Sequence, residues 1–304
     1  MNVALLSGGG GGARFARGLD ALLAPGELTV VGNVGDDVEV LGLHVSPDLD
    51  SLLYTLGGLI DHERGWGRSG ETWNALESAV EWGGEGWFHL GDRDLGLHLV
   101  RTRALRDGAR LSEVTSDVCR RLGVDARILP ATDDRVRTHV VTPAGRFPFQ
   151  EWFVGRGHRD DVDELEYEGA DLSVPAPGVL EAIADADAII VAPSNPYLSV
   201  GPILAVAGIQ EAIEERRVRC VAVSPLVGGA AVSGPLARML SRMAGGTTPA
   251  HVAGRYKGLI DVLLIDESDS PTAAEIDLVV ARTLMKDRDA ERRLAESALE
   301  AACA

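Results

Sequence analysis

Short apolar runs alternate with amphipathic segments at both ends of the chain, and this alternation limits the fold more than any other feature. Near the start, Val3 to Leu6 and Leu28 to Val31 have the length and composition of buried strands, separated by a predicted helix. From Pro177 onward, the strands AIIVAP, CVAVSP and DVLLIDES alternate with helical segments, and PILAVAGIQEAIEERR between the first two of these strands predicts a single helix. Strands and helices that alternate at this spacing form a mostly parallel sheet with both faces covered. The sequence therefore predicts a doubly wound, Rossmann-like α/β fold.

The middle of the chain departs from this alternation. Residues 51 to 122 contain segments with helical spacing, from SLLYTLGGLI to SEVTSDVCRRLG. After a further strand in ARILPATDD, the segment THVVTPAGRFPFQEWFV predicts a β-hairpin with two arms around its TPAG turn. The tail DAERRLAESALEAACA predicts a surface helix that frays. We therefore expect a single α/β domain over residues 1–304, with its core in 1–50 and 123–304 and a helical insertion at about 51–122.

Charge and composition exclude several classes of partner. The formal net charge of the 304-residue chain is −17, which argues against nonspecific binding to nucleic acid or to anionic membranes. No apolar stretch approaches the ~20 residues needed to span a bilayer, and the N-terminus lacks the basic region of a signal peptide. The cysteines, Cys119, Cys220 and Cys303, fit neither a disulfide framework nor a zinc site. We expect a cytoplasmic protein without nucleic-acid or membrane partners.

A run of consecutive glycines, Gly8 to Gly12, follows the first predicted strand and precedes a helix. Glycine loses more conformational freedom on folding than any other residue, so such a run needs a compensating role. In a loop between a strand and a helix, bare backbone N–H groups and the helix N-terminus together favour an anion. A tight turn that packs closely against the sheet explains the run equally well. Both interpretations stay open from this segment alone.

Polar and small residues follow the other predicted strands as well. They are Asn33, Gly35, Asp36 and Asp37 after the second strand, Asp48 and Asp50 in SPDLDS, Ser194 and Asn195 in PSNP, and Ser224, Gly228 and Gly229 in SPLVGG. Parallel strands end at one edge of a sheet, where ligands bind, so we expect these residues to line one cleft. Hydroxyls, an amide and glycines suit a nucleotide, and paired aspartates suit Mg²⁺. Each cluster also has a structural explanation: a solvated turn, a helix N-cap or ordinary loop chemistry.

Several segments carry a family resemblance. In chain order they are SGGGGGARF, NVGDD, SPDLDSLLYTLGG, RGWG, LGDRD, ATDD, FQEWFV, APSNPYLSVGPILAVAGI and VSPLVGG. Together they resemble the 2-phospho-L-lactate transferase family from about Met1 to Asp269. The resemblance implies a Mg²⁺-dependent enzyme of coenzyme F-420 biosynthesis. Such an enzyme transfers a phospholactyl or phosphoenolpyruvyl group from a guanosine-diphosphate-linked donor to the deazaflavin Fo and releases GMP. It also implies a homodimer.

The resemblance assigns the polar clusters to roles. The nucleotide site contains Gly8, Gly9, Gly10, Gly11, Gly12, Arg14, Ser194, Asn195, Ser224 and Gly228. The Fo site contains Asp50, Asp92, Arg93 and Trp66, with Asp50 and Arg93 as catalytic candidates. The Mg²⁺ ligands are Asp36, Asp37 and Asp50. Many members carry a Thr or a Pro-Lys in the first loop, where this chain has Gly11 to Arg14, so we expect Arg14 to take over the phosphate contact.

Two other function classes fit parts of the sequence. A non-enzymatic nucleotide-sugar-binding regulator of carbon metabolism would share the glycine run but would not need paired aspartates. A Rossmann oxidoreductase would use Asp36 at the end of the second strand, but no later catalytic base motif follows. The tryptophans of the insertion, Trp66, Trp73, Trp82 and Trp87, are expected to pack in a core, or, for Trp66, to stack on Fo. No position distinguishes a lactyl, enolpyruvyl or glyceryl donor.

Overall fold

The computed structural model describes residues 1–271 and 275–304. Its strands are β1 (Val3–Ser7), β2 (Leu28–Gly32), β3 (Val38–Val40), β4 (Leu43–Val45), β5 (Arg127–Pro130), β6 (Arg137–Thr142), β7 (Gly145–Pro148), β8 (Glu164–Glu168), β9 (Ala188–Val191), β10 (Cys220–Val223), β11 (Leu226–Val227), β12 (Ala230–Ala231), β13 (Val262–Asp266) and β14 (Asp277–Ala281). Its α-helices are α1 (Gly9–Asp20), α2 (Pro47–Leu56), α3 (Asn74–Glu81), α4 (Asp92–Arg106), α5 (Leu111–Leu122), α6 (Val179–Ala184), α7 (Gly201–Leu204), α8 (Ile209–Glu214), α9 (Leu236–Met243), α10 (Pro249–Arg255) and α11 (Arg288–Cys303). A π-helix (Glu151–Gly155) and a 3₁₀ turn (Ala170–Leu172) complete them.

A parallel sheet forms the centre of the molecule. In the described part of the chain it has seven strands in the order β14-β13-β10-β9-β1-β2-β5. Every pairing within it is parallel, including β1 with β2 and β1 with β9. The chain winds one way from β1 to β2 and β5, and the other way from β9 to β14. The order of the strands therefore reverses between β1 and β9, which is where open α/β sheets form a ligand crevice. The predicted doubly wound fold is confirmed.

Helices cover both faces of the sheet because successive strand residues point to opposite sides. Leu6 and Ile189 belong to the core shared with α6, α8, α9 and α10. Leu5 and Ile190 belong to the core shared with α1, α2, α5 and α11. Helices α2 and α5 thus pack on the sheet, although the sequence assigned most of α2 and all of α5 to an insertion. The division of the chain into domains stays a prediction.

The glycine run forms a helix rather than a loop. Gly8 is the N-cap in an extended conformation, and α1 begins at Gly9. Close packing explains the missing side chains: a Cβ at Gly12 would lie 2.7 Å from Ser194 Oγ, and one at Gly8 would lie 2.6 Å from Asp48 Oδ2. Contacts under 3 Å are not tolerated, so the tight-packing explanation holds for these two positions.

Three local predictions are corrected by the fold. The hairpin around TPAG is present, with Thr142 opposite Gly145, but its second arm ends at Pro148 and a π-helix follows. The single helix expected in PILAVAGIQEAIEERR is split, because Gly208 at φ +89° separates α7 from α8. The tail does not form a frayed surface helix, because α11 packs on α1 with Leu294, Ala295 and Ala298 buried.

Candidate functional site

The ends of β1, β2 and β9 bring the predicted clusters together at the reversal point of the sheet. The Ser194 hydroxyl, which follows β9, donates a hydrogen bond to the Gly8 carbonyl at 2.7 Å. The backbone amide of Asn33, which follows β2, donates a hydrogen bond to the Ser7 carbonyl at 3.1 Å. The glycine helix, the NVGDD turn and the PSNP turn therefore line one crevice, as the sequence predicts.

Asp48 lies at the centre of this crevice, against the start of α1. The Asn33 side-chain amide donates to Asp48 Oδ2 at 2.9 Å and to the Leu198 carbonyl at 3.3 Å, while its own oxygen accepts from the Gly35 amide at 2.8 Å. Because Gly8 has no side chain, the Asp48 carboxylate reaches the N-terminus of α1, where the backbone favours negative charge. The sequence predicts Asp48 at the same cleft as Asp50, with a helix cap as the alternative for either residue, but it assigns Asp48 no role in binding or catalysis.

Asp36 and Asp48 form a buried pair of carboxylates, and none of the described Lys, Arg or His side chains forms an ion pair with either of them. Burial raises the pKa of Asp48 to about 6, and Asp37 adds to this, while Asn33 and the Gly9 amide oppose it. Burial also raises the pKa of Asp36 well above its ordinary value, and the charges of Asp48 and Asp37 reinforce the effect. Asp36 Oδ1 is buried and has no hydrogen-bond partner in the part of the chain that the structure describes. A buried carboxylate of this kind is costly unless a cation or a hydrogen-bond donor completes its surroundings.

Asp37 is held by its neighbours in the β3–β4 region. Its Oδ2 lies 3.0 Å from His44 Nε2 and accepts a hydrogen bond from Ser46 Oγ at 3.0 Å. Within the residues that the structure describes, no group of three or more His, Cys, Asp or Glu side chains is arranged to hold a metal ion. The three carboxylates that the sequence assigned to one Mg²⁺ site thus differ in their surroundings: Asp50 is paired with Arg101, whereas Asp36 Oδ1 and Asp37 Oδ1 are buried with no hydrogen-bond partner among the described residues. The predicted metal site itself stays a prediction.

Asp50 is neutralised by a buried arginine. Arg101 from α4 donates from Nη1 to Asp50 Oδ2 at 3.0 Å and from Nη2 to Asp50 Oδ1. Burial alone would raise the pKa of Asp50, but the charge and hydrogen bonds of Arg101 outweigh it and hold the pKa below its ordinary value. The nearby His98 is neutral near pH 7, because burial lowers its pKa to about 4. Asp50 is therefore an ionised, oriented hydrogen-bond acceptor, and a weak base.

The LGDRD segment leads into α4. Within it, Asp92 has a structural role, whereas the Arg93 side chain is exposed. Asp92 accepts hydrogen bonds from the amides of Asn74 at 3.1 Å and Ala75 at 2.9 Å, so it caps the N-terminus of α3. A hydrogen bond from the Thr72 hydroxyl is the main cause that lowers the pKa of Asp92 to about 2, and the bonds from Ala75 and Asn74 add to it. The exposed Arg93 guanidinium donates to the Ser69 carbonyl at 3.2 Å. Arg93 thus stays available to a ligand, whereas the Asp92 oxygens are engaged.

Trp66 stands at the tip of a loop that lies over the glycine helix. A Cβ at Gly10 would lie 3.4 Å from the Gly65 carbonyl, which places this loop directly above the start of α1. The Arg64 guanidinium lies 5.3 Å from the centre of the Trp66 ring and 5.0 Å from that of Trp73. Trp66 is 44% exposed, so it offers aromatic surface to a flat ligand.

The tryptophans of the insertion do not form a core, which corrects the sequence-based expectation. Trp82 is 88% exposed, and Trp73 and Trp87 are only half-buried. The fully buried tryptophan is Trp152 of the FQEWFV segment, which packs with Phe149 against the sheet. The helical region lacks the apolar surroundings that would enclose large rings, because α3 buries Leu76 alone.

The residues assigned to the nucleotide site are mostly engaged with the backbone. Asn195 Oδ1 accepts from the amides of Tyr197 at 2.9 Å and Leu198 at 3.2 Å, so Asn195 shapes the PSNP turn. Ser224 Oγ accepts from the Leu226 amide at 3.2 Å, and Gly228 begins the tight turn between β11 and β12 with φ +59°. These turns present backbone groups at the carboxyl ends of β9 and β10.

The Arg14 side chain is paired with α11 and with the segment that precedes it. Its Nε donates to Glu291 Oε1 at 3.0 Å and its Nη2 donates to the Met285 carbonyl. Glu291 is buried, and Arg17 donates to it as well. The guanidinium therefore ties α1 to α11, and its expected phosphate contact stays a prediction that needs this ion pair to open.

Arg101 and Asp94 were missed by sequence reasoning. Together with His98 they recur at offsets of four and three along α4, so they share one face of that helix, and all three are buried. Burial raises the pKa of Asp94 to about 6, with Glu71 and Asp50 adding to it and the Tyr54 hydroxyl and Arg68 opposing it. A polar stripe at helical spacing beside an acidic segment is the signal that would have identified them.

The chain is similar to proteins of one known family. A family model described as 2-phospho-L-lactate transferase CofD matches residues 3–300. A phosphoenolpyruvate transferase of Streptomyces griseus is 44% identical over 313 residues and covers 99% of this chain and 98% of its own. Proteins of the same name from Kitasatospora aureofaciens (45%, covering 98% and 97%) and Mycolicibacterium smegmatis (40%, covering 99% and 99%) are similar to the same extent.

A solved structure shares the fold. The crystal structure of a UPF0052 family member from Bacillus halodurans superposes with a TM-score of 0.63 at 18% identity and covers 98% of each chain. At this identity the similarity concerns the architecture alone. None of the described helices is long and apolar enough to cross a membrane.

Proposed function

The chain belongs to the 2-phospho-L-lactate transferase CofD family, and from this we propose that it transfers a phosphoenolpyruvyl group from a guanosine-diphosphate-linked donor to the deazaflavin Fo, with release of GMP. Membership makes it a transferase of coenzyme F-420 biosynthesis. The choice of phosphoenolpyruvate over phospholactate is supported by relatives of that name at 40 to 45% identity over nearly the full chain.

The observation that carries the proposal is the convergence of two features at the reversal point of the sheet. The N-terminus of α1 lies there with its glycine amides, of which that of Gly9 bonds to the Asp48 carboxylate, and Asp36 lies beside this pair. A helix N-terminus attracts phosphate, while two carboxylates repel it unless a cation stands between them. A diphosphate together with a divalent cation satisfies both features, and neither would suit a neutral ligand.

The carboxylates fit Mg²⁺ as a partner. Mg²⁺ in proteins is usually held by one or two carboxylates plus substrate phosphates and waters, rather than by a full protein cage. Asp36, with its unpartnered Oδ1, and Asp48 supply such a pair. When bound, the ion would shield the diphosphate and stabilise the negative charge that develops on the leaving group.

The other residues of the crevice position the acceptor. In the proposed reaction the terminal ribityl hydroxyl of Fo attacks the phosphorus that bears the enolpyruvyl group, and the bond from that phosphorus to the GMP oxygen breaks. Transfers of this type depend on positioning and charge stabilisation more than on a strong base. Asp50, ionised and held by Arg101, would accept a hydrogen bond from the attacking hydroxyl. Arg93 would neutralise the transferred phosphate, and Trp66 would stack on the deazaflavin ring.

Product formation tests the proposal directly. The purified protein is incubated with Fo, Mg²⁺ and an equimolar mixture of phosphoenolpyruvyl, phospholactyl and phosphoglyceryl guanosine donors, and the product is identified by mass spectrometry. We expect the enolpyruvyl adduct of Fo and a stoichiometric amount of GMP. Absence of any Fo adduct, with a larger thermal stabilisation by a uridine sugar than by GDP, would instead favour the nucleotide-sugar-binding regulator. The homodimer and the cytoplasmic location stay predictions.

A further inference from the structure

Arg101 is one of the most deeply buried charges of the molecule. Its side chain is 1% exposed and extends from α4 to the first turn of α2, where it makes two parallel hydrogen bonds with Asp50. Within the described residues, no other carboxylate forms a hydrogen bond or an ion pair with this guanidinium. His98 Nδ1 lies 3.9 Å from Asp50 Oδ2, which is too far for a hydrogen bond. The orientation of the Asp50 carboxylate thus depends on Arg101.

We propose that Arg101 is a positioning residue for the acceptor: its paired hydrogen bonds fix the plane of the Asp50 carboxylate so that the remaining lone pairs receive the acceptor hydroxyl. This inference rests on the proposed function and extends it to a residue that does not itself reach the substrate.

The geometry of the pair supports a positioning role. The last torsion of an aspartate side chain is broad, so an Asp without partners samples many carboxylate planes. A carboxylate offers about four lone-pair directions, and Arg101 occupies one on each oxygen of Asp50. The planar guanidinium fixes the carboxylate through both oxygens at once, which a lysine ammonium cannot do. Because misplacement of a reacting group by about 1 Å can lower a rate by roughly a hundredfold, this constraint matters for the acceptor.

The chain contains a matched control for a purely structural pair. Arg17 donates from Nε to Glu291 Oε2 at 2.9 Å and from Nη2 to Glu291 Oε1 at 2.8 Å. This pair is also bidentate and its carboxylate is buried, but it joins α1 to α11 rather than α2 to α4. Substitution of Arg17 therefore reports what loss of such a pair does to folding alone.

The experiment compares Arg101→Lys with Arg17→Lys. Fo binding is measured by fluorescence titration without donor, and KM is measured separately for Fo and for the guanosine donor. In Arg101→Lys we expect the Kd and KM for Fo to rise by about tenfold or more, and the donor KM to stay within about twofold. In Arg17→Lys we expect a lower melting temperature and unchanged constants for both substrates. A folded Arg101→Lys protein that binds Fo like the parent, or loses Fo and donor affinity equally, would overturn the inference.

A second variant covers the case in which Arg101→Lys fails to fold. Asp50→Glu keeps both charges and lets the longer side chain remain paired with Arg101, but it moves the carboxylate. We expect this variant to keep its melting temperature within a few degrees and to bind Fo about tenfold more weakly. Parental Fo affinity in Asp50→Glu would contradict the importance of orientation. If the parent protein itself makes no Fo adduct, the proposed function fails; if the parent is active and these variants bind Fo normally, only the role of Arg101 fails.

Discussion

Replacement of Asp48 by Asn should stabilise the fold at neutral pH while it weakens donor binding. The pKa of Asp48 is raised from 3.8 to about 6 by burial and by its acidic neighbours. The folded state therefore binds a proton more tightly than the unfolded chain, and the ionised group lowers the stability by about 3 kcal/mol above pH 6. Asn keeps an oxygen that can accept from the Asn33 amide and removes the charge.

The stability difference between the parent and Asp48→Asn should depend on pH. Below about pH 4 the carboxyl is protonated in both states, so parent and variant should unfold at the same denaturant concentration. Between about pH 4 and pH 6 the parent should lose stability relative to Asp48→Asn, and above pH 6 the difference should be constant at about 3 kcal/mol. Urea unfolding followed by circular dichroism at a series of pH values measures it.

Measurements of GDP binding distinguish the destabilising effect of the buried Asp48 charge from the proposed role of Asp48 in Mg²⁺ binding. GDP binding is measured by calorimetry with and without Mg²⁺, for Asp48→Asn and for the control Asp94→Asn. The pKa of Asp94 is also raised to about 6, but Asp94 lies on α4 beside Tyr54. Both variants should gain stability at pH 7.5, and only Asp48→Asn should lose the effect of Mg²⁺ on GDP binding. An Asp48→Asn protein that is less stable than the parent at pH 7.5, or a difference that does not change with pH, would refute the reasoning.

Three further substitutions test separate parts of the site. Asp50→Asn should abolish turnover, which a product assay measures. It should also lower the free energy of unfolding by about 3–5 kcal/mol, because Arg101 stays buried without a counter-charge, and calorimetric melting measures this. Asn195→Ala should weaken GDP binding. It should also lower the free energy of unfolding by about 1–2 kcal/mol, because the backbone amides of Tyr197 and Leu198 lose their acceptor, and urea unfolding measures this change. Asp92→Ala should destabilise α3 above about pH 4 but not below pH 2, because its pKa is lowered to about 2, and hydrogen exchange of the α3 amides at two pH values checks this.

The sheet could be predicted from the sequence because its signals are local. Apolar runs such as Ala188–Val191 and Cys220–Val223 are short, continuous and separated by helical segments, and each became a strand. The start of α1 could not be predicted in the same way, since glycine disfavours a helix and only the packing of Gly8 and Gly12 against neighbouring strand ends requires it. The packing of α11 likewise depends on Gly18, where a Cβ would clash with the Glu291 carbonyl.

The chemistry of the site could be predicted in kind but not in detail. The position of strand ends in a parallel sheet gathers Asn33, Asp36 and Ser194 at one edge, and that follows from sequence order. Which carboxylate meets which cation does not follow, because Asp50 and Arg101 are 51 residues apart and belong to helices whose docking no local pattern encodes. That pairing decides the roles, since it neutralises Asp50, whereas Asp36 and Asp48 have no cationic partner among the described residues.

The distribution of charge around Asp36 and Asp48 would explain how so acidic a chain can serve the proposed diphosphate donor. With a formal net charge of −17, the protein as a whole repels the donor, and long-range steering cannot assist binding. In the proposed function, recognition is local, from the amides at the start of α1 and from a cation that Asp36 and Asp48 would hold. A lysine or arginine in place of these carboxylates would bind the phosphates as firmly, but it would hold GMP as well as it holds the donor. In the proposed function, a cation shared between protein and ligand could leave with the product, so an acidic pair that binds it would favour turnover over retention.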